Sequence, residues 1–115
     1  MSITRHEPKQ ILSSVVEGGS LVYTAGITAD DFSKDVKGQT REVLDEIDRL
    51  LSLAGTDKSK ILSTTIWVSD IRLRDAMNEI WNQWTDKANL PARACIEAKL
   101  AAPNILVEIA VVAMK

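Results

Sequence analysis

The sequence predicts an α+β fold: a mixed sheet with two long helices on one of its faces. Two observations predict it. Apolar residues recur at helical spacing in two internal stretches, whereas the segments around them alternate or run as short apolar blocks in the manner of strands. Strand-rich ends around two helices favour one layered unit, and the predicted order is β-β-β-α-β-α-β-β.

The first three strands are read at Ile3 to Glu7, Leu12 to Glu17 and Leu21 to Ala25, with "EGGS" as the hairpin turn before the third. The first helix runs from about Asp35 to Ala54. Its stripe is Val43, Leu44, Ile47, Leu50, Leu51 and Ala54, and Gly55 suits its end. The fourth strand spans Ile61 to Ser69. There Leu62, Ile66 and Val68 are assigned to the helix side, and Ser63, Thr65 and Trp67 to a second, semi-polar face whose large aromatic suits a subunit interface. The second helix starts at an N-cap, Ser69 or Asp70, and carries Leu73, Met77, Ile80, Trp81 and Trp84 until about Thr85. The last strands are Ala92 to Leu100 and Ile105 to Met114. "AAPN" between them reads as a turn that folds them into a hairpin.

A chain of 115 residues is expected to form a single domain, 1–115. It is 45% hydrophobic and 26% charged, with net charge -2, which offers nucleic acid no basic field. No apolar run approaches the roughly 20 residues of a membrane span, and "MSITRHEPKQ" lacks the apolar stretch of a signal peptide, so a cytoplasmic protein is expected. A single Cys95 and a single His6 provide neither a disulfide framework nor a metal-ligand cluster, and no metal centre is expected.

Chemistry concentrates near the C-terminus. In "NLPARACIEAKL", alternation assigns Ala94, Ile96, Ala98 and Leu100 to the helix-covered side and Arg93, Cys95, Glu97 and Lys99 to the other. A permanently charged guanidinium among small apolar residues must meet an anion, either a protein carboxylate or a ligand. Glu108 interrupts the apolar run Ile105 to Met114 and has to be paired, hydrogen-bonded or penalised by desolvation. The predicted hairpin brings it toward Arg93, which leaves open a structural ion pair or a functional site. Cys95 lacks a neighbouring base and reads as a small residue lining a pocket. Trp81 and Trp84 lie on the apolar stripe of their helix and read as core, and Gly18 to Ser20 as a tight hairpin.

The run "PARACIEAKLAAPNILVEIAVVA" resembles the C-terminal signature of the RidA (YjgF/YER057c/UK114) family. "LVYTAGITAD", "QTREVLDEIDRLLSLAG" and "ILSTTIWVSDI" extend the resemblance over nearly the whole chain. It implies a chorismate-mutase-like fold assembled as a homotrimer, with small-molecule clefts between subunits. It also implies cofactor-free hydrolysis of 2-imino acids or their enamine tautomers to 2-oxo acids and ammonia. Arg93 would grip the substrate carboxylate, Glu108 would hold the attacking water and move protons, and main-chain groups near Cys95 would bind the substrate nitrogen. Gly26 would allow close backbone approach. Where the better-known deaminase branch has a serine, a tyrosine and a glutamine, this chain has Ala25, Leu12 and Ile27, which implies a more apolar pocket wall. The competing function is a trimeric module that binds a carboxylate metabolite without turnover. Chaperone or ribonuclease activity, also known in the family, gains nothing from an acidic chain.

Overall fold

The structure, a computed structural model, describes residues 2–115. Seven strands form one sheet: β1 (Ile3–Pro8), β2 (Ser13–Gly18), β3 (Leu21–Thr24), β4 (Ile27–Thr28), β5 (Ile61–Val68), β6 (Ala92–Glu97) and β7 (Val107–Met114). They are arranged β1-β2-β3-β7-β5-β6, with β4 also paired to β7. Only β5 and β6 run parallel, so the sheet is mixed as the sequence predicts. The two helices are α1 (Val36–Leu53) and α2 (Arg74–Trp84).

Local chemistry fixes both ends of α1. The Asp35 carboxylate accepts from the Gly38 amide at 2.9 Å, capping the first turn. The chain leaves the helix through Gly55 at φ 74°, a conformation that costs glycine nothing. α2 begins at Arg74 behind Leu73 with no side-chain cap, so neither predicted N-cap serves it; Asp70 instead caps the 3-10 turn Ile71–Leu73 that leads into the helix. The predicted stripe of α1 is buried throughout. It packs with Met77, Ile80 and Trp81 of α2 and with Val15, Val22, Ile66, Val68, Val107, Ile109 and Val111 of the sheet in one hydrophobic core. Each fully buried Leu, Ile or Val gains roughly 1.5–3 kcal/mol of transfer free energy, which makes this the main force holding the layers together.

Buried Gln39 ties α1 to the segment before β7. Its Nε2 donates to the Lys34 and Asn104 carbonyls at 3.0 and 2.9 Å, and its Oε1 accepts from the Leu106 amide at 2.9 Å.

Four expectations need correction. Leu62 is exposed and Ile61 is buried instead, because a register irregularity between Ile61 and Ser63 shifts the start of β5 by one residue. "AAPN" does not make a hairpin, since β6 and β7 each pair with opposite edges of β5 and never with each other. β6 is also turned over relative to the prediction. Its Arg93 and Cys95 lie across the ladder from Thr64 and Ile66 on the helix-covered face, whereas Ala94 and Ile96 lie beside Thr65 and Trp67 on the open face. Finally, the third predicted strand is interrupted: β3 stops at Thr24 and the unpredicted β4 resumes the pairing with β7.

The open face carries large apolar side chains among polar ones such as Ser63, Thr65 and Glu108. Val16, Tyr23 and Val112 share it at one end through their ladder pairing, and Trp67 and Ile96 at the other, with Tyr23 and Ile96 both exposed.

Candidate functional site

The interruption between β3 and β4 builds one half of the site. Tyr23 pairs with Val112 and Ile27 with Ile109, so Thr24, Ala25 and Gly26 oppose only Ala110 and Val111, which is a β-bulge. The bulge keeps its polar groups satisfied. Thr24 Oγ1 accepts from the Val111 amide at 3.0 Å, and the Ala25 amide donates to the Ser14 carbonyl at 2.9 Å. Glu108 lies on the open face opposite Thr28 and Trp67, half-buried, with its carboxylate against Gly26. A Cβ at position 26 would stand 2.2 Å from Glu108 Oε2, so only glycine leaves the carboxylate its place.

Beside the bulge is a cavity of about 570 Å³. Leu12, Ala25 and Ile27, the three residues expected to form an apolar wall, line it together with Gly26, Ser14 and Thr28. These residues make up only one side. The flank of α1 supplies a charged wall of Glu42, Asp45, Glu46 and Arg49, and Lys9 and Asp30 stand at the rim. Arg49 is held by Glu7 at 2.7 and 3.0 Å and by Glu46 at 2.6 and 2.7 Å. Its hydrogen bond to Glu7 holds that carboxyl below the usual carboxylate range.

Arg93 and Cys95 are elsewhere. They lie on β6, at the sheet edge opposite β1, and neither lines the cavity. Arg93 and Glu108 are on opposite faces of the sheet and make no ion pair, which removes the structural reading that the sequence left open. The guanidinium is exposed and leans toward α2. Its Nη1 donates to Asn78 Oδ1 at 2.6 Å, and its Cζ stands 5.4 Å from the centre of the Trp81 ring. Sequence reasoning placed Trp81 in the core, where it is, but missed both of these contacts. The i, i+3 spacing of Asn78 and Trp81 puts both on one side of α2, which is the part of this arrangement that the sequence carries. Trp84 packs near Trp81 and donates from Nε1 to Asp48 at 2.9 Å. Cys95 is half-buried against the core.

The chain can now be set beside known proteins. The family model described as Endoribonuclease L-PSP matches residues 3–115. A RutC family protein of Haemophilus ducreyi is 41% identical over 111 residues, 96% of this chain and 95% of its own length. The chain belongs to the RidA (YjgF/YER057c/UK114) family. Solved structures agree. A YjgF-family protein of Neisseria meningitidis superposes with a TM-score of 0.97 at 34% identity, covering 100% of this chain and 96% of that one. A Rid-family protein of Yersinia pestis, titled as being of unknown function, gives a TM-score of 0.86 at 30% identity and covers 94% and 90%. In this RidA-family chain the elements divide the site in two. Gly26 of the bulge lines the cavity, Glu108 lies against Gly26 on the open face and does not line it, and the far edge strand presents Arg93 with Cys95.

Proposed function

We propose that the protein hydrolyses reactive 2-imino acids or their enamine tautomers to 2-oxo acids and ammonia, in the cytoplasm and without a cofactor. The working form is a homotrimer in which Arg93 of one copy faces Glu108 of the next. The observation that carries this reading is the position of Glu108, a carboxylate with no salt-bridge partner among the described residues, seated against Gly26 on the open face. A protein that merely bound carboxylates would gain nothing from a second anion there, whereas hydrolysis needs a group to hold water.

The iminium carbon is already electrophilic, so the protein's task is orientation and proton transfer. Arg93 takes the substrate carboxylate on its planar fork, which a lysine would not reproduce. Glu108 accepts a proton from the attacking water, and main-chain groups near Cys95 hold the nitrogen. The open face supports the assembly, because Tyr23, Ile96 and Trp67 require a cover that one chain does not provide.

The test is trapping kinetics on imines generated in situ by an amino-acid oxidase. Arg93→Ala is expected to lower kcat/KM, chiefly through KM, by the equivalent of about 2–5 kcal/mol while keeping the fold. Full activity in that variant would overturn the assignment. Tight 2-oxo acid binding by a wild type that turns over no imine would favour the binding module instead.

A further inference from the structure

We infer that Asn78 and Trp81 of α2 are positioning residues that hold the Arg93 side chain before any ligand arrives, leaving its Nε and Nη2 edge for the ligand carboxylate. The inference rests on the function proposed above for Arg93. It adds which residues aim the guanidinium and which of its edges does the binding.

A guanidinium carries five N–H donors in one plane, and two of its edges can grip a carboxylate bidentately: the Nη1/Nη2 end, and the Nε/Nη2 side. Asn78 Oδ1 occupies Nη1 at 2.6 Å. Neither Nε nor Nη2 donates to any described residue, and no carboxylate lies within ion-pair reach of the group. Nη1 keeps a second N–H, but the Nε/Nη2 side is the one pair whose two nitrogens are both unclaimed by any described residue. Trp81 fixes the remaining freedom. The guanidinium carbon stands 5.4 Å from the centre of its ring, where the negative π face attracts a cation. A hydrogen bond at one nitrogen and a ring face at the centre restrain both the direction and the tilt of the plane.

The choice of partners matters as much as their presence. Asn78 is neutral, so it orients Arg93 without cancelling the charge that a ligand needs, as an aspartate at the same position would. Trp81 is itself held, buried in the core and packed near Trp84, whose indole is anchored on Asp48. An otherwise exposed arginine thus takes its order from the helix layer, which lowers the entropy lost when a ligand docks.

The experiment compares Asn78→Ala, Trp81→Leu and Trp81→Phe with the wild type in imine hydrolysis and in melting temperature. A carboxylate grip acts equally on substrate and transition state, so its loss appears in KM. Asn78→Ala should raise KM about tenfold with kcat within about twofold. Trp81→Leu should do the same, and Trp81→Phe, which restores a π face, should recover most of the loss. An unchanged KM in Asn78→Ala overturns the inference, as does a KM that tracks melting temperature and not the presence of a ring. Side-chain NMR of Arg93 Nε–Hε in the ligand-free protein decides the matter independently of turnover. The group should be rigid in the wild type and mobile in Asn78→Ala, and equal mobility overturns the inference. If the wild type hydrolyses no imine, the proposed function fails while this comparison still stands or falls on its own.

Discussion

At residue 26 a single hydrogen in place of a methyl group decides where a carboxylate can sit. Gly26→Ala would put Cβ 2.2 Å from Glu108 Oε2, and the carboxylate must then rotate away, because the bulge backbone is tied down at Thr24 and Ala25. The expected outcome is a fall in kcat of about 10- to 100-fold with the fold retained, since displacement of a catalytic group by about 1 Å costs that order. In a Glu108→Gln background the same change should add little, because both act through one group. Steady-state kinetics of the double-mutant cycle check this, and additive losses would show that Gly26 serves something else. The identities of Arg93, Glu108 and Gly26 as notable residues were legible in the sequence, but their orientation was not. Alternation in Ala92 to Leu100 has two possible phases, and the apolar phase was matched to the helix-covered side. Ile96, 46% exposed, belongs to the open face, so both faces of β6 call for apolar neighbours and composition alone does not choose between them.

At the scale of elements, both helices and their buried stripes follow directly from periodicity, because a 3.6-residue repeat over many positions has only one consistent reading. Strand connections depend on pairing between distant segments and are harder to read. Nothing within "AAPN" reveals that β5 will insert between β6 and β7, and nothing within "YTAGIT" announces a bulge. Gln39 exemplifies a contact the helical pattern hides, a polar residue on a buried stripe that satisfies three backbone groups. Gln39→Leu would remove the side-chain partner of the Lys34 and Asn104 carbonyls and of the Leu106 amide, all part-buried, an expected loss of about 1–3 kcal/mol. Denaturant unfolding measures it. An effect below about 0.5 kcal/mol would mean that water replaces the amide at no cost.

Over the whole molecule, surface carboxylates set the acid limit of stability. Glu7 is held below its ordinary value by Arg49, Glu17 by Lys115 and His6, and Glu42 by the Asp30 backbone and Lys34. Asp70 is lowered to about 2 by Arg72. Each binds a proton less readily when folded than when unfolded. Its contribution is therefore complete above the ordinary value of 4.5 for the glutamates and 3.8 for Asp70, and is lost as pH falls through the folded value. Thermal melting should be flat from about pH 7 to 5 and fall between about 4.5 and 2, modestly, because these groups are solvent-screened. A midpoint unchanged down to about pH 2 would mean that the pairs do not persist in solution. The opposite-face arrangement of Arg93 and Glu108 gives the proposed trimer a consequence of its own: if the cleft is shared between copies, two dead proteins can make a live one. Mixed trimers assembled from equal amounts of Arg93→Ala and Glu108→Gln chains recover, by random pairing, about one intact cleft in four. Co-refolding the two inactive variants and assaying the mixture would show that revival, and a mixture as inert as its parents would mean that each chain works alone.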